Sequence, residues 1–203
     1  MKFYPFEQGA LDYCCGFYAL ANAVKLIDRK MSNGESVVLF RKALKCLEKK
    51  RKRKLSSVAG VGLTTGELNL ILREVISNRY DITVQRPFYR IKRPFLNKIL
   101  KDINDFMTEG PKRAVIAALG GEGNDHWTVV AKITGKEIHF YDSSGIKKLR
   151  RGKCTAATAS SIKPYSLCKK DIFFLSKQYR EDRFMKKKDQ YHEQTKADTT
   201  QGL

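Results

Sequence analysis

Residues 114–142 constrain the fold more than any other part of the chain. "AVIAAL" (114–119), "HWTVVAKI" (126–133) and "EIHFYD" (137–142) follow one another, with "GGEGND" and "TGK" between them. Short segments rich in β-branched and aromatic residues, bounded by Gly and Asn, read as strands. A connection as short as "TGK" (134–136) joins antiparallel neighbours, because a parallel crossover needs a dozen residues or more. "DITVQ" (81–85) and "DIFFLS" (171–176) add two further strand-like segments.

The chain ahead of these strands has helical spacing. Phe17, Leu20, Ala21, Val24 and Ile27 predict a helix over residues 15–30, and Val37, Val38, Phe40, Leu44 and Leu47 predict a second over residues 36–50. "SSVAGVGL" (56–63) reads as a loop. Thr64 or Thr65 can cap a third helix through "GELNLILREVI", with Leu68, Ile71, Leu72 and Val75 on one face. "FLNKILKDINDFM" (95–107) is a further amphipathic helix. Helices first and a mainly antiparallel sheet afterwards define an α+β domain over residues 1–177. Residues 178–203 turn polar and are expected to form a partly disordered or helical tail.

At 203 residues and 42% hydrophobic, the chain can bury a sizeable core. No apolar run reaches the roughly 18–20 residues that span a bilayer, and the N-terminus lacks the apolar segment of a signal peptide. The expected location is the cytoplasm, or secretion without a cleaved signal as an effector. The five cysteines (14, 15, 46, 154, 168) form no Cys-x-x-Cys, and the three histidines (126, 139, 192) do not cluster with them. Free thiols with no metal and no cofactor are therefore expected.

The net charge of +19 is concentrated in "KKRKRK" (49–54), "KKLRRGK" (147–153) and "QRPFYRIKRP" (85–94). Such a field favours acidic partners: nucleic acid, an anionic membrane surface or an acidic protein substrate. "KKRKRK" also resembles a nuclear-import signal. "RPFYRIKRPF" interleaves aromatic and basic residues as single-stranded nucleic-acid sites do, and equally reads as a loop packed on the core.

Adjacent Cys14 and Cys15 in "LDYCCGFYALANAV" open the first helix, whose unpaired N–H groups and positive dipole end favour a thiolate. A base and an orienting group must come from elsewhere. His126 begins one strand and Asp142 ends the next, so a hairpin about residues 134–136 makes them cross-strand neighbours. Gln8 lies on the approach to the helix, where its amide and the nucleophile's N–H could meet an oxyanion. His139 sits within "EIHFY" on a solvated face, and His192 lies in the polar tail. Cys15 is favoured over Cys14 because it lies closer to the first helical turn. The glycine that follows it, Gly16, would leave room for a substrate backbone.

Gln8, then "DYCCG" and "FYALANAV", and later "DHWTVV" and "FYDSSG", resemble the papain-like cysteine peptidases. The nearest pattern is the peptidase domain of bacteriocin-processing transporters. The resemblance spans residues 8–28 and 114–145. It implies Gln8 in the oxyanion hole, a Cys nucleophile, His126 as general base and acid, and Asp142 as its orienting partner. The extra residue between Asp12 and the Cys-Gly pair departs from that pattern, and the six-residue interval from Gln8 to Cys14 is the one found in papain. Transglutaminase-like enzymes share the order Cys, His, Asp and often carry Trp after the His, as Trp127 does here, so acyl transfer or deamidation is the alternative chemistry. A basic nucleic-acid- or membrane-binding protein with a degenerate thiol site is the non-enzymatic alternative. The substrate pocket is expected to be built from residues 31–112.

Overall fold

The computed structural model describes residues 4–9, 12–92, 95–121 and 125–177, and the expected tail at 178–203 lies outside them. The first half of the chain is helical, with α1 (Cys15–Ile27), α2 (Asn33–Arg51), α3 (Leu55–Val61) and α4 (Thr65–Ile71). The last of these continues through a π-helical stretch (Leu72–Ser77) into a short turn, α5 (Asn78–Tyr80). After β1 (Ile82–Gln85) and α6 (Leu96–Thr108) come β2 (Arg113–Gly121), β3 (His126–Ile133), β4 (Glu137–Phe140), β5 (Lys148–Arg150), β6 (Cys154–Thr155) and β7 (Tyr165–Lys177). The sheet runs β1-β7-β2-β3-β4-β5, antiparallel throughout, and β6 adds parallel to the start of β7. The fold is α+β.

Alternation along the central strands decides which helix covers which face. On β2, Ala114 and Ile116 join the core under α1, while Val115, Ala117 and Leu119 join a second core under α6. Phe173 and Leu175 on β7 face α1, and Ile172 and Phe174 face α6. Strands buried on both faces show continuous apolar runs, which is why "AVIAAL" and "DIFFL" lack a polar alternation. The α1 helix is buried on nearly every side, from Phe17 and Leu20 to Val24 and Ile27. Small side chains at Ala19, Ala21 and Ala23 let it lie close to β2 and β3.

Local signals explain two of the helix starts. Ser32 and Thr64 each form a capping box, with Glu35 and Glu67 respectively, so the third predicted helix is capped by Thr64 rather than Thr65. Two sequence expectations fail here. Residues 56–63 are not a loop: α3 occupies Leu55–Val61, seated by fully buried Val58 and stopped by Gly62 at φ +80°. Its small residues and glycine hid one buried anchor. Strand β7 also starts six residues earlier than "DIFFLS", because "YSLCKK" pairs with the end of β2 and with β6.

The basic stretches are not uniformly solvated. Arg53, inside "KKRKRK", ion-pairs with buried Glu67 at 3.2 Å, and its guanidinium donates to the Gly62 carbonyl at 3.3 Å. In "RPFYRIKRPF", Phe88 is fully buried and meets Phe174 edge-on, so that segment packs on the core at that point. Tyr89 and Phe95 remain exposed. No described helix is long and apolar enough to cross a membrane.

Candidate active site

The helix α1 begins at Cys15 and leaves Cys14 as its N-cap residue. Asp12 shapes the approach: its carboxylate accepts from Cys14 N–H at 2.9 Å and from Gly9 N–H at 3.1 Å. The two thiols thereby enter different surroundings. Burial, then the charge and hydrogen bond of Asp12, push the Cys14 thiol up to about 11. Cys14 therefore stays protonated at neutral pH and is a poor nucleophile. Cys15 instead lines an open cleft of about 920 Å³ together with Gln8 and His126.

His126 Nε2 lies 2.6 Å from Asp142 Oδ2, and both side chains are nearly sealed from water. The Cys15 thiol acts on the imidazole's charge as well, and both side chains line the same cleft. His126 and Asp142 meet across the hairpin without being directly opposed. Val130 pairs with Phe140, so Asp142 falls opposite Thr128, and His126 reaches it diagonally past the end of β4. Burial of the ring opposes its charge. Hydrogen bonds to Asp142 and Cys15, and the charges of both, outweigh that and raise His126 to about 9. Burial likewise works against the Asp142 charge, but the hydrogen bond and charge of His126 hold its carboxyl below the usual range. Asp142 Oδ1 also accepts from Ser144 N–H at 2.8 Å and Ile146 N–H at 3.1 Å, which fixes the carboxylate plane.

The same "DSSG" loop holds Gln8. The Gln8 N–H donates to the Ser143 carbonyl at 2.9 Å, and Ser144 Oγ lies 3.5 Å from Gln8 Oε1. One proton of the Gln8 amide is taken by the Asp12 carbonyl, leaving the other for the cleft. The Cys15 N–H, in the first helical turn, has no intrahelical acceptor. Gln8, Cys15, His126 and Asp142 are thus brought together. His139 is not: it lies half-exposed on β4, 3.4 Å from Glu137. His192 lies outside the described residues.

Asn22, Leu63, Trp127 and Arg53 hold this site; Trp127 was noted in the sequence only as the residue after His126, and the other three were not singled out. Asn22, fully buried in α1, accepts from the Phe6 N–H at 2.7 Å and donates to the Phe6 carbonyl at 3.2 Å, latching the segment that carries Gln8. A lone Asn within an apolar helix was the available signal. Leu63 packs where a Gly16 side chain would lie: a Cβ there would come within 2.9–3.2 Å of it. Gly16 is therefore required by a neighbour inside the protein. Trp127 donates its indole N–H to the Leu63 carbonyl at 2.9 Å, tying the strand that carries His126 to the corner beside the Cys15 helix. Arg53, bonded to Gly62, braces the same corner.

The cleft's described walls come from residues 8–15, 119–126, 144–146 and 165, and none from residues 31–112. That expectation is corrected by topology: α2 to α4 support α1 from behind, and loops at the end of the sheet form the mouth. No family model matches the chain, and none of the curated proteins matches it.

Proposed function

We propose that the protein is a papain-like cysteine peptidase that cleaves a protein or peptide substrate through Cys15, His126, Asp142 and Gln8. The observation that carries this reading is a thiol at a helix start facing an imidazole that a buried carboxylate already holds at 2.6 Å. Cys15 sulfur attacks the scissile carbonyl carbon, and the oxyanion that develops takes hydrogen bonds from the Cys15 N–H and the Gln8 amide. His126, as imidazolium, gives its proton to the leaving nitrogen as the C–N bond breaks, leaving an acyl-thioester on Cys15. His126 then removes a proton from the attacking water. Collapse of the second tetrahedral intermediate frees the carboxylic acid and the thiol. Asp142 keeps the imidazole in one tautomer and steadies its positive charge.

The transglutaminase-like alternative drew on Trp127, but that ring is buried and bonded to Leu63 rather than facing the cleft. An acyl-thioester would serve either acceptor; water is the simpler one. The intact grouping of thiol, imidazole and carboxylate supports hydrolysis over a degenerate site in a basic binding protein. Labelling with iodoacetamide followed by peptide mapping tests the reading. The expected adduct is on Cys15, and modification of Cys14 in preference would sink the assignment.

A further inference from the structure

A second cleft, of about 790 Å³, opens where β7 leaves its ladder. Ala117 pairs with Ile172 but Leu119 pairs with Leu167, so residues 168–171 bulge out of the β2 register. The excursion is pinned in place. Lys169 Nζ donates to the carbonyls of Ile91 and Lys92, Arg86 donates to the Lys170 carbonyl at 2.5 Å, and the Thr65 hydroxyl donates to Asp171. On the opposite side, Lys163 is held in a turn by Ser160, which exchanges hydrogen bonds with it at 3.0 and 3.3 Å. The result is a formed wall rather than a loose basic surface.

The chemistry of this cleft is one-sided. Lys92, Lys163, Lys169 and Lys170 line it and no described Asp or Glu does, while Leu96 and Ala156 give it apolar wall. Lys92, Lys163 and Lys170 are exposed and form no ion pair among the described residues. Phe95, at its rim, is 82% exposed. The Cys15 cleft is the reverse, with Asp12 and Asp125 on its described walls and neither Lys nor Arg. Tyr165 lines the first cleft and Ser166, next to it on β7, lines the second.

We propose that the lysine-rimmed cleft is an exosite for an acidic segment of the substrate polypeptide, with an apolar side chain of that segment resting on Phe95 and Leu96. The occupant's identity as substrate rests on the peptidase reading above. Charge complementarity selects acidic chains. A single-stranded nucleic acid is the weaker fit, because it needs a series of stacking rings along a cationic track, and this cleft presents one exposed ring. The second contact holds substrate without touching the reacting bond, so it lowers KM and leaves kcat unchanged.

The test uses the full chain carrying Cys15→Ala and a fluorescein-labelled peptide, Glu-Asp-Glu-Phe-Leu-Glu-Asp-Glu, in fluorescence anisotropy at about 50 mM salt. Binding should weaken about tenfold or more in Lys92→Glu/Lys163→Glu. Lys92→Gln/Lys163→Gln should give an intermediate loss, and thermal melting should show both variants folded. Unchanged affinity in the charge-reversed variant overturns the proposal. So does an oligouridylate that binds more tightly than the peptide and loses affinity in the same variant. Charge-dependent peptide binding by a chain whose wild-type form hydrolyses no peptide would overturn the peptidase reading and support the cleft.

Discussion

Cys14 and Cys15 share nearly the same backbone position yet have opposite prospects, and a single carboxylate makes much of the difference. Asp12 turns toward the Cys14 N–H and adds its charge to the burial that keeps Cys14 protonated. Cys15, one step along, faces His126. Cys15→Ala should lower peptide hydrolysis by roughly 10⁴-fold or more, while Cys14→Ala should retain near wild-type turnover. A Cys14→Ala variant as inactive as Cys15→Ala would contradict the assignment. In the proposed mechanism His126 supplies the proton for the leaving nitrogen, so kcat/KM should fall on the alkaline side with an apparent pKa of about 9. Asp142, together with Cys15, raises His126 against the effect of burial. Asp142→Asn should therefore move that limb to lower pH and cut the rate by about 10²–10⁴-fold. A pH–rate profile of the variant with an unmoved alkaline limb would show that another group controls it.

The decisive contacts between elements converge on the corner after α3. Gly62 at φ +80° ends that helix, Leu63 packs against Gly16, and Thr64 opens α4 with its capping box. Arg53 and Trp127 hold the corner from two sides. Gly16→Ala forces a methyl group to within 2.9 Å of Leu63 and should cost about 1–3 kcal/mol, read as a lowered thermal midpoint. Trp127→Phe leaves the Leu63 carbonyl without its donor and should cost roughly 1–3 kcal/mol. Both should reduce kcat more than they raise KM, since the corner sets the Cys15–His126 approach. A Trp127→Phe enzyme with an unaltered melting curve would show that the indole bond carries no stability.

Over the whole molecule, charge is segregated in space. The chain carries +19, yet the described walls of the Cys15 cleft hold neither Lys nor Arg, and lysines gather around the second cleft. Long-range attraction should then speed capture of acidic substrates and fade as salt shortens the Debye length to below about 10 Å. For a protein substrate with an acidic segment, kcat/KM should drop steeply between low and high salt. A short neutral peptide should be almost unaffected. Equal salt dependence for the two substrates would remove the basic surface from the account.

The strands β2, β3 and β7 were legible because their apolar and β-branched runs have no other way to be buried, and "TGK" left no room for a crossover. Cys15, His126, Asp142 and Gln8 were legible as reactive groups because a helix start, two strand ends and a hairpin already brought them near one another. Helix α3, the early start of β7 and the makers of the cleft were not. Each depends on a partner far along the chain: Val58 on its seat in the core, "YSLCKK" on the end of β2, and Gly16 on Leu63. The sequence by itself determined the class of fold and pointed to the residues proposed to react, since periodicity and local spacing are written into neighbouring side chains. Only the tertiary structure decided which residues wall the cleft and brace the corner at Leu63, because those contacts join side chains far apart in the chain.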